Sequence, residues 1–190
     1  SWYAGQKASH EFTTAAESIP VTSYDISLDK GWNLISLPLI PTDSAIATVL
    51  SDISSNVDIV KYYDTETGDW LSYVPSGNTG SLDTMEDGRG YWVFMENADT
   101  LTINGQERPG AAESLPEYHV YAGWNLIGFK SVDIMKSSTY LYGVDYTRVY
   151  NGKYSLVADR NENTDNNMIP GAGYWVYAVA EGSFSPPLGQ

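Results

Sequence analysis

The residues best placed to move protons are Asp83, Glu86 and Asp87, because Asp83 with Glu86 or Asp87 supplies the carboxylate pair that a glycosidase uses as acid and base. His10 and His119 stand isolated in the sequence, and no nucleophile-elbow motif accompanies any serine. With 0 Cys and 2 His, thiol nucleophiles, zinc–thiolate sites, disulfides and multi-histidine metal centres are excluded. The segment Asp159-Arg160-Asn161-Glu162-Asn163-Thr164-Asp165 sets Asp159, Asn161, Asn163 and Asp165 at alternating positions, as oxygen ligands around a calcium ion would be. An EF-hand would require Gly and Glu where Thr164 and Pro170 stand, so the expectation is a looser calcium site or a solvated polar turn. Asp64, Glu66 and Asp69 form a second, weaker acidic group.

Aromatic side chains offer a different chemistry. The chain carries 6 Trp, 15 Tyr and 4 Phe, and a flat ring can stack on the C–H face of a sugar. Trp32, Trp92, Trp124 and Trp175 fall inside alternating strand patterns, which predicts that they pack the sheet interior. The sugar candidates are therefore the less regular Tyr62, Trp70 and Tyr73 in the first half, with Tyr140, Tyr142 and Tyr154 in the second. Neighbouring Asp and Asn residues would suit a neutral glycan.

Composition narrows the partners. The 190 residues include 10 Lys+Arg against 24 Asp+Glu, a net charge of −14, and the basic residues are scattered rather than gathered into a stripe. Such a chain repels phosphate backbones and anionic headgroups, so neither nucleic acid nor a membrane surface is an expected partner. No apolar run approaches the ~20 residues that span a bilayer, so membrane insertion is not expected either. A hydrophobic content of 42% nevertheless supplies a real core. The start at Ser1, without Met or a signal segment, predicts an excised or processed piece of a longer protein. There is no Asn-x-Ser/Thr acceptor for N-glycans.

The elements that must position these residues follow an internal repeat. Gly31-Trp32-Asn33-Leu34-Ile35 recurs as Gly123-Trp124-Asn125-Leu126-Ile127, and Gly88-Arg89-Gly90-Tyr91-Trp92-Val93 recurs as Gly171-Ala172-Gly173-Tyr174-Trp175-Val176. Between them, Lys61-Tyr62-Tyr63-Asp64 answers Arg148-Val149-Tyr150-Asn151. The carboxylates at 83, 86 and 87 are not repeated, so the scaffold does not require them, and no catalytic residue is assigned. The reading is an N-terminal segment over 1–22, repeat A over 23–106, a linker over 107–115 and repeat B over 116–190.

The fold class is mainly β: two tandem homologous β-rich repeats, sandwich or barrel-like, of about six strands each, with a short helix in the first. Asp43 is the predicted helix N-cap, with Ile46, Val49, Leu50 and Ile53 on one apolar face. In repeat B, residues 132–136 take the helix's place. Tyr24–Leu28 is predicted to form a hairpin with the strand after Gly31, and His119 is matched to Asp25. Residues 62–73 form a second hairpin, and Tyr91–Met95 pairs with Leu101–Ile103. Asn151-Gly152 reads as a two-residue hairpin turn. Gly31 and Gly123 are expected at positive φ. Residues 1–22 are expected to dock on repeat A or on a neighbouring chain.

The paired Gly-Trp-Asn-Leu-Ile and Gly-x-Gly-Tyr-Trp-Val blocks resemble a repeat of secreted, cell-surface and surface-layer-associated proteins of archaea and some bacteria, over residues 31–95 and 123–178. That resemblance implies an extracellular module at the cell surface whose partners are neighbouring domains or surface proteins. It transfers no catalytic residue and no cofactor. The leading expectation is a non-catalytic structural, adhesive or surface-assembly module. A carbohydrate-binding module of a secreted enzyme is the alternative, and a carboxylate-dependent hydrolase is the second alternative.

Overall fold

The computed structural model describes residues 22–107 and 116–187. The expectations for residues 1–21, with His10, for most of the linker and for the last three positions lie outside the described residues. The first half runs β1 (Thr22–Leu28), β2 (Gly31–Ser36), β3 (Ile40–Pro41), α1 (Ile46–Val49), β4 (Val57–Asp64), β5 (Asp69–Val74), β6 (Thr79–Gly80), β7 (Gly90–Met95) and β8 (Asp99–Gln106). The second half runs β9 (Tyr118–Val120), β10 (Gly123–Gly128), β11 (Met135–Lys136), α2 (Ser137–Tyr140), β12 (Tyr146–Asn151) and β13 (Leu156–Asp159), then β14 (Thr164–Asp165), β15 (Asn167–Met168), β16 (Gly173–Ala178) and β17 (Gly182–Phe184). The protein is mainly β. Its two five-stranded sheets have the orders β2-β7-β4-β5-β6 and β10-β16-β12-β13-β14, and no sheet closes into a barrel.

Each five-stranded sheet covers one core. In the first half, Ile35, Val60, Tyr91 and Val93 meet Ile26 and Leu101 of the β1-β8-β3 sheet and Ile46, Leu50 and Ile53 beside α1. In the second, Ile127, Val149, Tyr174 and Val176 meet Val120 and Phe184 of the β17-β9 pair and Tyr140 of α2. The same bonds recur at matched positions. The Asn33 side chain receives the Asp29 N–H and donates to the Asp29 and Gly31 carbonyls, and Asn125 does the same with Tyr121 and Gly123. Gly31 and Gly123 have φ of +93° and +105°, the left-handed turn expected of them.

This turn is a corner and not a hairpin. β1 pairs with β8, whereas β2 pairs with β7, so the predicted hairpin around Gly31 does not form, and β7 and β8 do not pair with each other. Alternation signals a strand but carries no information about its partner. The β4–β5 hairpin does form, with Asp64 opposite Asp69. The register places His119 opposite Ser183, as Ser27 is opposite Thr100, so His119 corresponds to Ser27 and not to Asp25. The predicted apolar helix face is buried, but α1 is only four residues long and continues as i to i+3 turns through Asn56. Its N-cap is Ala45, while Asp43 accepts the Ala45 N–H from two residues upstream. The second half has its own helical turn, α2, just beyond the segment expected to stand in for one.

Buried tyrosines tie loop to sheet. The Tyr91 hydroxyl receives the Glu86 N–H at 2.7 Å, and the Tyr174 hydroxyl receives the Ile169 N–H at 2.8 Å. Tyr91→Phe and Tyr174→Phe strand these donors, so urea unfolding should show each variant destabilised by about 1 kcal/mol. Burial pushes the Tyr174 phenol up to about 12, against the lowering effect of the Ile169 N–H. An unfolded tyrosine ionises near ~10. Stability is therefore lost as pH rises above that value toward the folded one, and Tyr174→Phe should flatten this alkaline decline.

Candidate ligand-binding site

The two five-stranded sheets meet through the faces that point away from their own cores. Ser36 N–H donates to Gly171 O at 3.0 Å, and Gly128 N–H donates to Gly88 O at 2.9 Å, a reciprocal pair of bonds between the halves. Ser36 Oγ donates to Ala172 O at 2.7 Å and accepts the Phe129 N–H at 3.0 Å. Backbones approach so closely here that a Cβ on Gly90 would stand 2.7 Å from Ile127 O, and one on Gly173 would stand 2.7 Å from Ile35 O. Small residues permit this contact; any side chain would force the sheets apart.

Further along the same faces the side chains are aromatic. Because alternate residues share a face, Gly90 is followed on its side by Trp92 and Phe94, and Gly173 by Trp175 and Tyr177. Cross-strand pairing brings Trp32 opposite Phe94, Tyr63 opposite Trp70 and Trp124 opposite Tyr177. At this end a surface cleft of about 600 Å³ is lined by Tyr63, Trp70, Trp92, Trp124, Tyr150, Tyr154 and Trp175, from both halves. Its volume lies within the ~300–1,000 Å³ typical of small-ligand sites. No charged side chain is among the lining residues.

Ring contacts fall into two clusters. Trp92 lies 6.1 Å from Tyr154, with interplanar angle 31°, and is backed by Trp32 at 6.2 Å. Trp175 lies 5.7 Å from Tyr63, 6.2 Å from Trp70 and 6.5 Å from Trp124, which in turn is 5.9 Å from Tyr150. Both clusters draw on both halves of the chain. Trp32, Trp70 and Trp124 keep 49%, 51% and 41% of their surface in water, and Tyr154 keeps 71%.

The expectation that Trp32, Trp92, Trp124 and Trp175 pack the interior is thus corrected. Tyr91, Val93, Tyr174 and Val176 fill the inner face, and the indoles take the outer one. Of the nominated sugar residues, Trp70 and Tyr154 line the cleft. Tyr73 and Tyr140 lie in the two cores, the latter with its hydroxyl donating to Gly128 O and receiving the Lys130 N–H. Tyr142 is 83% exposed and does not line the cleft. Tyr62 is half-buried against Tyr91, with Arg89 over its ring at 5.1 Å.

The two-residue turn expected at Asn151-Gly152 is also replaced. Asn151 Oδ1 accepts the Lys153 and Ser155 N–H groups, Tyr154 N–H donates to Asn151 O, and Tyr154 takes φ +55°. A bulky residue in this left-handed region stores roughly 1–3 kcal/mol of strain. The wider turn carries the Tyr154 ring across to Trp92 of the other half.

The acidic residues lie away from this cleft, and Asp64, Glu66, Glu86 and Asp87 come together around a second, polar one of about 700 Å³. Asp87 accepts the Tyr118 hydroxyl, Glu86 pairs with Arg89 at 3.2 Å, and exposed Asp83 lines a separate hollow beside Ile46 and Tyr73. Asp64 accepts the Glu66 N–H. Asp165 opposes Ala158 and Asp159 opposes Thr164, so Asp159 and Asp165 point to opposite faces of the β13–β14 hairpin. Asp165 accepts from Ser138, while Asp159 accepts from Arg148 at 2.9 Å and from the Asn161 N–H. Asn163, at φ +56°, shapes the connecting turn. Among the described residues no three His, Asp or Glu side chains form a metal-binding group, and no helix is long and apolar enough to cross a membrane.

Desolvation raises the Asp159 carboxyl, but the Asn161 N–H and Arg148 outweigh it and hold the group below the usual aspartate range. Its contribution to stability is therefore present above the unfolded pKa and lost as pH falls through the folded value. Denaturation midpoints followed through the acid range should show a shallower fall for Asp159→Asn than for the parent chain.

No known protein family, curated protein or solved structure matches this chain.

Proposed function

We propose that this chain is a non-catalytic binding module that recognises a neutral carbohydrate in the aromatic cleft lined by both of its halves. One observation carries the reading: all five tryptophans among the described residues lie on the outward sheet faces, and four of them line one uncharged cleft. A ring half open to water forfeits part of the stabilisation that burial would bring, and a ligand with apolar faces restores it. A net charge of −14 disfavours anionic ligands such as phosphates and uronates. The reading retains the duplication inferred from the sequence, supported by the shared strand order and by the matched bonds of Asn33 with Asn125 and of Tyr91 with Tyr174. It also retains the extracellular, cell-surface setting, where sugar binding would serve adhesion or assembly within a larger protein.

The test is intrinsic fluorescence during titration with neutral oligosaccharides. Saturable binding should shift the tryptophan emission to shorter wavelength as water leaves the indoles. A panel that leaves both intensity and wavelength unchanged, and gives no heat by calorimetry, would refute the proposal.

A further inference from the structure

The rings of the cleft form two separate groups, which bears on the length of sugar chain it takes; this step rests on the carbohydrate reading above. Trp92 touches Tyr154 and Trp32, and Trp32 touches Phe94. Trp175 touches Tyr63, Trp70 and Trp124, and Trp124 touches Tyr150 and Tyr177. Among the described residues no ring contact joins the first group to the second.

The junction accounts for this division. Its contacts run in both directions: the bond from Ser36 to Gly171 is returned by the one from Gly128 to Gly88, and Ile35 bridges to Ala172 as Ile127 bridges to Arg89. An interface in which matched residues exchange places in this way is two-fold in form. Positions that it relates lie on opposite sides of its axis, so Trp92 is set apart from Trp175 and Trp32 from Trp124, while both groups still line the one cleft. Each group is completed across the junction, the first by Tyr154 of the second half and the second by Tyr63 and Trp70 of the first half. In each, a half-buried indole, Trp92 or Trp175, stands beside rings that are open to water: Trp32 and Tyr154 in the first group, Trp70 and Trp124 in the second.

We infer that the cleft holds two sugar subsites, one on each ring group, and that its ligand is a neutral oligosaccharide chain long enough to cover both. Each group stabilises a sugar by the apolar area that leaves water on contact. A short sugar covers one group and leaves the other free. A longer chain seated on one group holds its remaining units close to the other, where the second contact is intramolecular and gains from a high effective concentration. Rings also continue outside the cleft, at Trp32 beside Trp92 and at Tyr177 beside Trp124, and both of these outer rings are exposed, so units beyond the cleft meet aromatic surface as well. The chain is neutral because the lining holds no charged side chain and the protein as a whole is acidic.

The experiment measures, by calorimetry and fluorescence, the disaccharides and hexasaccharides of β-1,4-linked glucose, mannose and N-acetylglucosamine and of α-1,4-linked glucose. It uses the parent chain, Trp92→Ala, Trp175→Ala and the double variant, each confirmed as folded by circular dichroism. In at least one series the hexasaccharide should bind at least about 10-fold more tightly than the disaccharide, with one chain per protein. Each single variant should bring the hexasaccharide down toward the affinity of the disaccharide. The disaccharide itself, still served by the other ring group, should weaken by no more than about 2-fold in either single variant, the statistical factor for losing one of two equal sites. The double variant should lose both ligands. A hexasaccharide no tighter than its disaccharide, a larger loss of the disaccharide in either single variant, or a double variant that binds as well as a single one would overturn the two subsites while leaving sugar binding in place. No affinity for any of these sugars would overturn both readings.

Discussion

Trp175→Ala is expected to lower affinity for the preferred oligosaccharide by about 10- to 100-fold while leaving the protein folded. Trp175 is the ring on which its cluster converges, in contact with Tyr63, Trp70 and Trp124. If a sugar covers roughly 60–100 Å² of ring surface, the lost burial amounts to about 1.5–2.5 kcal/mol at ~25 cal/mol per Å², which is that fold-change in affinity. The indole lies on the outward face, whereas Tyr174 and Val176 on either side hold the core. The loss should therefore be larger in binding curves than in melting curves, where only the ring contacts with Tyr63, Trp70 and Trp124 are given up. A variant that binds as well as the parent would remove Trp175 from the site.

Gly88→Ala should produce a large loss of stability at the junction. Gly88 has φ +79°, and a Cβ there would stand 2.2 Å from the Tyr118 ring. Its carbonyl receives the Gly128 N–H, and the hydroxyl of that same tyrosine donates to Asp87. Left-handed strain of roughly 1–2 kcal/mol adds to overpacking of about 1–3 kcal/mol, for a total near ~3 kcal/mol and a fall in melting temperature of about 6–12 °C. The matched position Gly171 also has positive φ, +80°, but its nearest neighbour would be the Ile26 side chain at 3.2 Å. Gly171→Ala should cost less, and calorimetric melting of the two variants would reverse that order only if the junction were looser than its bonds imply.

The sequence announces backbone requirements better than it announces faces. Gly31 and Gly123 declare their turns because few other residues adopt that φ, and the apolar side of α1 is legible because Ile46, Leu50 and Ile53 repeat with the helical period. The β4–β5 hairpin is legible from its turn. Partnership between distant strands is not: nothing local in Tyr24–Leu28 favours β8 over β2. The outward indoles were hidden for a related reason. Tyr91 and Trp92 are adjacent aromatics on opposite sides of β7, and alternation fixes that they differ without fixing which one faces the core. Gly90 and Gly173 carried the missing signal, since a glycine two residues before a tryptophan marks the side that another backbone approaches. At Asn151-Gly152 the dipeptide fits a tight turn, yet Gly152 packs where a Cβ would stand 2.6 Å from Leu34 Cβ, so contact with the other half and not the turn itself requires the glycine.

That close approach of bare backbones has a consequence for energetics. With the two sheets fastened at their glycine end, the placement of the tryptophans relative to one another is inherited from the fastening and does not await a guest. A preorganised ring surface of this kind spends little ordering entropy on association.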